Sequence, residues 1–408
     1  IFVEFLRGNF TGSNAAEKAC CAHKWKVSNP SASFSRRENL TMHVECFDGL
    51  SRRDNDISRV YLWGMTNECA PGEMRFESEV RSEQRNLPIA EALAQRFTYH
   101  SRQEWEARVL AGDVLYNDSP ASPEQVVNTG DRLLYIVRNY SEPSVPTHYE
   151  ILFENEEFLV VGKPAGVPVH HTGSIFWNTF ASILRRALKL EELIPMHRLD
   201  RDTSGVMLFA KSQDTSKRYQ KSLQHIVLRK IYLAVVDGDF PLAETTTLPP
   251  GATWLEGRLQ VTIPLRELAG QAIRVQMVPD FETGKPCLTT FRLLQHTTNS
   301  AGTRRVSIVE CELGTGRKHQ IRAHLAALGY PILGDVIYNH GGQYYLKRCD
   351  TPLDAEDYQV LGARMQMLHA WKLELQLPGM REPKIFESRI FTDEMAAYCA
   401  NVSARNTL

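Results

Sequence analysis

The 408 residues carry 47 basic and 48 acidic side chains, a net charge of −1, which excludes a protein that holds nucleic acid through bulk charge. With 43% hydrophobic and 23% charged residues it reads as a globular chain with ample core, and its length leaves room for two to three domains. No apolar run approaches the roughly 18 residues of a membrane span, so no membrane partner is expected. In chain order, residues 1–75 are rich in Asn, Ser, Arg and Asp and show little periodicity. They read as a poorly defined N-terminal extension, partly disordered or loosely attached, and contain no motif. Residues 1–40 make a poor transit peptide because they include Glu4 and Glu17.

Order is expected from about Arg81. Leu87, Ala90, Leu93, Ala94 and Phe97 have helical spacing. Ser101-Arg102-Gln103-Glu104 is a capping box that opens a second helix, with Trp105 and Val109 on one face and Gly112 as its stop. Val114-Leu115-Tyr116 reads as a strand, Asn117-Asp118 as its turn, and Leu133-Leu134-Tyr135-Ile136 as a further strand. Two short helices and a small hairpin over 81–141 resemble an S4-type RNA-binding module, with Arg96, Arg102 and Arg108 as candidate phosphate contacts. A small packing domain with no RNA role fits the pattern equally well. Pro143 and Pro146 mark the linker.

A second domain is expected over 149–395. Tyr149–Val161 reads as a hairpin around Glu154-Asn155-Glu156-Glu157, followed by the stiff loop Lys163-Pro164-Ala165-Gly166-Val167-Pro168-Val169-His170. Ile183–Leu193 reads as a basic amphipathic helix. Then comes Met196-His197-Arg198-Leu199-Asp200-Arg201-Asp202-Thr203-Ser204-Gly205, a polar turn that feeds the apolar run Val206–Ala210. Five apolar residues in a row fit a strand covered on both faces, so Arg198 and Asp200 sit just before a rigid core element, where sites are well positioned. A lone Asp near a Gly turn is more often a solvated turn than a site, and Asp202 is read as structural. A polar helix over Ser212–Gln224 and a strand over Arg229–Gly238 follow. Tyr232, taken alone, is better read as core than as a site residue. Further strands are expected over Gly284–Phe291 and Val306–Leu313. Ile321, Leu325 and Leu328 mark an amphipathic helix ended by Gly329.

Several chemistries are excluded by spacing. Gly314-Thr315-Gly316-Arg317-Lys318 lacks the Gly-Lys-Ser/Thr ending of a phosphate loop. His319 and His324 are five residues apart, about 140° around a helix, which is poor metal geometry. No metal and no cofactor are therefore expected. The eight cysteines include no C-x-x-C pair and fit a reducing compartment, cytoplasmic or mitochondrial. One local basic excess stands out: Arg185–Lys230 holds 11 Lys and Arg against 5 Asp and Glu.

The spelling of five stretches resembles the RluA-type pseudouridine synthases. They are K-P-x-G-x-x-x-H at Lys163, H-R-L-D-x-x-T-S-G at His197, K-x-Y-x-A-x-V-x-G at Lys230, G-K-x-A-x-T-x-[FY] at Gly284 with Cys287 in its Ala position, and T-G-R-x-H-Q-I-R-x-H-L at Thr315. They stand in family order between about Tyr149 and Pro378, and Pro331–Tyr338 and Leu368–Ala370 continue the last one. Lys318 replaces the Thr that most relatives carry. His171-Thr172-Gly173 with Asn178-Thr179 resembles the eukaryotic branch that modifies tRNA, although Ser174 and Ile175 stand where that branch often has Arg-Tyr.

The resemblance implies an α+β fold: a mixed, mainly antiparallel sheet with flanking helices and a central cleft, preceded by the S4-like module. It implies an isomerase that converts a uridine of structured RNA, a tRNA anticodon stem-loop in the first instance, to pseudouridine. Asp200 would be the nucleophile, Arg322 its bidentate guanidinium partner, and Tyr232 the ring that stacks on the flipped base. Arg198 would hold the vacated space and Ile321 would wall the site. His197, Arg317 and Lys318 would join in substrate binding. A monomer is expected. Ribosomal RNA is the alternative substrate, and a non-catalytic RNA-binding protein the alternative function.

Overall fold

A computed structural model describes residues 73–399 and the strand Tyr61–Leu62, save 98–99, 139, 173–174, 242–246, 269–271, 274 and 300. Contacts divide the described chain into two units. The first runs to Pro143 and takes in His171–Trp177 and Arg185–Glu192; the second holds Ser144–His170, Asn178–Leu184 and the chain from Leu193 on. Among the described residues no helix is long and apolar enough to cross a membrane.

The first unit is a five-stranded sheet in the order β1-β2-β5-β3-β4, with β1 at Tyr61–Leu62, β2 at Met74–Glu79, β3 at Val114–Tyr116, β4 at Ser119–Pro120 and β5 at Arg132–Val137. Helices α1 (Ile89–Arg96) and α2 (Arg102–Leu110) bury Ile89, Leu93, Trp105 and Val109 with Val114, Leu133 and Tyr135. The capping box forms as spelled: Glu104 N–H donates to Ser101 Oγ at 3.3 Å, and Ser101 N–H to Glu104 Oε2 at 2.7 Å. Asn117 and Asp118 both take positive φ, 46° and 66°, as a two-residue hairpin turn requires. Order starts earlier than Arg81, because β2 pairs with β5 in unbroken register from Met74↔Val137 to Glu79↔Arg132. The three candidate phosphate contacts are all engaged. Arg96 donates to the Glu79 carbonyl, Arg102 pairs with Glu106 at 3.0 Å and Glu91 at 3.6 Å, and Arg108 pairs with Asp113 at 3.4 Å.

The second unit is built on an eleven-stranded sheet whose main path is β11-β12-β15-β16-β10-β17-β9-β7-β6. In chain order these strands are β6 (Glu150–Glu154), β7 (Phe158–Lys163), β8 (Ile194–Pro195), β9 (Ser204–Ala210), β10 (Val227–Asp237), β11 (Ala252–Leu255), β12 (Arg258–Val261), β15 (Thr289–Thr298), β16 (Arg305–Leu313), β17 (Leu368–Leu375) and β18 (Lys384–Glu387). The short strands β13 (Leu265–Glu267) and β14 (Met277–Pro279) form a separate pair. Helices α3 (Phe180–Leu188), α4 (Gln213–Gln220), α5 (Leu223–Ile226), α6 (Gln320–Ala327), α7 (Gln343–Asp350), α8 (Ala355–Leu361) and α9 (Asp393–Cys399) complete the chain. Every sheet pairing is antiparallel except β17 with β9, so the sheet is mixed and mainly antiparallel.

Two elements depart from the sequence reading. α3 begins at Phe180 rather than Ile183, because the Thr179 hydroxyl accepts from Ser182 N–H at 3.3 Å and opens the helix there. The expected strand over Gly284–Phe291 begins only at Thr289. Asp280 Oδ1 accepts from Glu282 and Thr283 N–H at 2.8 Å each, and Gly284 N–H donates to the Asp280 carbonyl. That turn holds the chain out of the sheet until Thr289.

Register sets the site. Cys311, Tyr232, Ala370, Gly205 and Lys163 lie opposite one another on β16, β10, β17, β9 and β7, a single row across five strands. Ala370 and Gly205, the two members between Tyr232 and Lys163, are small, so the row dips there.

Candidate active site

The His197–Gly205 turn is fixed from several sides. All seven residues of β9 are buried, as the apolar run requires. Gly205 has φ +116°, and a Cβ there would lie 2.1 Å from the Ala370 carbonyl oxygen, so only glycine lets β9 and β17 meet at the one parallel seam. Gln366 Nε2 donates to Thr203 Oγ1 at 2.6 Å, and Ser204 Oγ meets His369 Nδ1 at 2.8 Å. His369 Nε2 lies 2.9 Å from the Ser388 carbonyl, so it carries the proton and the imidazole is a neutral brace. Lys163 is fully buried and donates to the carbonyls of Pro164, Val167 and Arg201 at 2.9, 2.8 and 3.1 Å. Burial pushes its ammonium down to about 7, but three carbonyl acceptors use all three N–H bonds of the charged form. His197 Nε2 accepts the Leu208 N–H at 3.1 Å, and burial pushes its pKa down to about 3. This neutral ring thus serves the backbone of β9.

Asp200 emerges from this turn with 28% of its side chain exposed. Arg322, on the first turn of α6, donates from Nη1 to Asp200 Oδ2 at 2.8 Å. Its bidentate face is turned to Asp335 instead: Nε donates to Oδ2 at 2.6 Å and Nη2 to Oδ1 at 2.8 Å. The expected two-pronged Arg322–Asp200 contact is therefore a single hydrogen bond, because the fork is occupied by a second acid. Asp335 is 1% exposed and also accepts the N–H groups of Ile337 and Tyr338 at 3.0 and 3.1 Å. Gly334 just before it, at φ +74°, turns the chain where a Cβ would strike the Met365 carbonyl at 2.1 Å.

His319 completes the polar ring. Met277 N–H donates to the Tyr338 hydroxyl at 2.8 Å, and that hydroxyl meets His319 Nδ1 at 3.2 Å, leaving Nε2–H 3.8 Å from Asp200 Oδ2. Burial opposes the Asp200 charge, but His319, Arg322 and Arg198 outweigh it and hold the carboxyl below its usual range. His319 is itself pushed down to about 4, chiefly by burial, and is neutral at pH 7. The standing positive charge in contact with Asp200 is therefore Arg322, whose own burial is outweighed chiefly by Asp335.

Tyr232 is 8% exposed and its hydroxyl makes no hydrogen bond among the described residues; burial and the Asp200 charge both push its phenol up. Ile321 is 4% exposed, next to Arg322. Arg198 is exposed and makes no hydrogen bond or ion pair among the described residues. Arg317 and Lys318 point elsewhere: Arg317 Nε donates to the Pro286 carbonyl at 3.3 Å and Lys318 Nζ to Glu267 Oε1 at 2.8 Å. Asp202 lies 3.8 Å from Arg201 Nε. Asp335, Tyr338, His319 and Lys163 were not singled out as site residues in the sequence. Asp335 had a signal there: a carboxylate inside Ile332-Leu333-Gly334-Asp335-Val336-Ile337 can be buried only with a partner.

The arrangement holds one ionised, partly open carboxylate against a locked guanidinium and beside a buried aromatic ring. Such a carboxylate can act as a nucleophile on a planar ligand laid against the ring.

The family described as RNA pseudouridylate synthase matches residues 157–327. Pseudouridylate synthase RPUSD2 of Homo sapiens is 36% identical over 236 residues, 58% of this chain and 39% of its own length. The tRNA pseudouridine(31) synthase of Saccharomyces cerevisiae is 36% identical over 192 residues, 47% of this chain and 46% of its own. The uncharacterized RNA pseudouridine synthase slr1592 of Synechocystis sp. is 30% identical over 289 residues, 70% of this chain and 92% of its own. The chain thus spans less than half the length of the human and yeast relatives.

Proposed function

The chain belongs to the RNA pseudouridylate synthase family, and from that membership we propose that it is an isomerase converting a uridine of structured RNA to pseudouridine with Asp200 as nucleophile. The carrying observation is the Asp200–Arg322–Asp335 chain of contacts at 2.8 and 2.6 Å, with Asp200 near enough to Tyr232 for its charge to raise that phenol. In the reaction the bond from ribose C1′ to N1 breaks and one from C1′ to C5 forms. N1 gains the hydrogen that C5 loses, so no electrons are exchanged with an outside partner. The uridine must leave its stack to reach Asp200. Tyr232 offers its ring to the flipped base, Ile321 an apolar wall, and Arg198 an unpaired cation at the mouth. A protein that only binds RNA has no need of a carboxylate held ionised by a buried arginine.

For the substrate we propose tRNA, at a uridine of the anticodon stem-loop. The Asn178-Thr179 extension and the likeness to a relative named as a tRNA synthase support this; Gly173 and Ser174 of that extension lie outside the described residues. Ribosomal RNA is the second reading. The 81–141 segment is read as an S4-like module on its two helices and hairpin, but its candidate arginines are spent on internal partners. The basic excess over Arg185–Lys230 narrows likewise. In the second unit, Lys211, Arg218 and Arg229 are paired with Glu154, Glu157 and Glu312, and among the described residues Arg198, Lys217, Lys221 and Lys230 make no hydrogen bond or ion pair. These four are the cations offered to phosphate.

The test offers purified protein unmodified tRNA and large-subunit ribosomal RNA in competition, with pseudouridine mapped in each. Modification of a tRNA anticodon-stem-loop uridine is expected. Preference for ribosomal RNA would overturn the tRNA assignment, and pseudouridine in neither would overturn the activity.

A further inference from the structure

Lys230 stands two residues before Tyr232 on β10. Against β16 the register Ile231↔Glu312 and Tyr232↔Cys311 is unbroken, and against β17 Lys230 faces Leu373, the shift before Tyr232↔Ala370 being taken up by one extra residue on β17. β10 therefore alternates regularly, Lys230 and Tyr232 share a face and Ile231 lies on the other with Glu312. The carboxylates of these strands gather on that other face. Arg229 is forked onto Glu312 at 2.9 and 2.9 Å and reaches Glu374 at 3.7 Å, and Arg292 is forked onto Glu310 at 3.1 and 2.7 Å.

Lys230 has none of this. It is half-buried and makes no hydrogen bond or ion pair among the described residues, and burial alone lowers its pKa. Its Nζ lies 3.7 Å from where a Cβ at Gly316 would stand, and its charge is felt by His197. The ammonium is thus lodged between the His197–Gly205 turn and the Thr315-Gly316-Arg317 stretch, where Gly316 is exposed and its lack of a side chain leaves the ammonium approachable. A partly desolvated cation with no counter-charge is unfavourable in the free protein unless an anion joins it.

We propose that Lys230 is a substrate-binding residue that takes a backbone phosphate of the nucleotide presented to Tyr232. One strand repeat, about 6.7 Å, separates the two side chains. That is comparable to the reach from a nucleotide's base to its own phosphate. The inference rests on the reading of the chain as an RNA-modifying enzyme.

The test uses the full chain and its Lys230→Met and Lys230→Arg variants, with in vitro transcribed tRNA and large-subunit ribosomal RNA as probes. For the RNA that the wild type binds more tightly, Lys230→Met should weaken binding about five- to tenfold and lower the slope of log K against log salt by about 0.9, as loss of one phosphate contact requires. KM should rise by a similar factor with kcat changed far less, and Lys230→Arg should restore most of the loss. The melting temperature of free Lys230→Met should equal or exceed that of the wild type, since no internal partner is lost. An unchanged affinity and salt slope in Lys230→Met would overturn the proposal, as would a lowered melting temperature with an unchanged slope. If the wild type binds RNA but forms no pseudouridine, the activity falls while the salt slope still decides the role of Lys230. Binding to neither RNA overturns both.

Discussion

Arg322 serves two acids with one guanidinium, and this decides what its replacement does. Its fork holds Asp335 and its remaining N–H holds Asp200. A lysine at 322 keeps the charge but cannot make both contacts. Arg322→Lys should therefore lose nearly as much turnover as Arg322→Ala, at least about 100-fold. If lysine restores most of the turnover, Asp200 is oriented by something else. Asp335→Asn tests the same chain from its buried end. It leaves a buried guanidinium short of a counter-charge and should cost about 3–5 kcal/mol of stability, read as the shift of a urea midpoint. A midpoint within error of the wild type would mean that Asp335 is dispensable. At this scale the sequence was informative about which signatures the fold brings together: Asp200 and Arg322, 122 residues apart, meet at 2.8 Å. It was silent where the partner is tertiary: nothing between residues 322 and 335 shows that the fork of Arg322 points at Asp335, or that His197 turns to the Leu208 amide.

Among the elements, the β9–β17 seam carries the greatest constraint. β9 could be read as a fully buried strand from its five apolar residues, but its one parallel neighbour comes from 165 residues further on and left no local trace. The same limit explains the Gly284–Leu288 stretch, whose Asp280 turn overrides its strand-like spelling. Gly205 and Gly238 separate strain from collision. Both have positive φ, but a Cβ at Gly205 meets the Ala370 carbonyl at 2.1 Å, while one at Gly238 meets nothing within 4 Å. Gly238→Ala should cost about 1 kcal/mol from backbone strain alone. Gly205→Ala should cost several times more and disorder the Asp200 turn, since backbone must shift to admit it. Equal melting temperatures for the two variants would show that the seam is not tight.

For the molecule as a whole, acid stability follows from histidines buried in their neutral form. Burial pushes His324 and His369 each down to about 4. His324 is held by Thr289 and the Ile263 carbonyl, both at 2.9 Å, and His369 by Ser204 and Ser388. An unfolded imidazole titrates near 6.5. Between about 6.5 and 4 the unfolded chain therefore binds more protons than the folded one, and stability rises with pH across that window. The urea midpoint of the RNA-free protein should fall between pH 7.5 and pH 5, and His324→Gln should flatten the fall. A midpoint constant over that range would contradict the neutral assignment. Asp200, held below the usual carboxylate range, adds no loss of activity in the same window. The central claim is that the Asp200 carboxylate is the nucleophile, and the most direct measurement is tritium release from RNA carrying 5-tritiated uridine, with wild type and Asp200→Asn compared at saturating protein. Release by the wild type and none above background by Asp200→Asn is expected, with both proteins melting at similar temperatures. Release by Asp200→Asn at a rate near that of the wild type would contradict the claim.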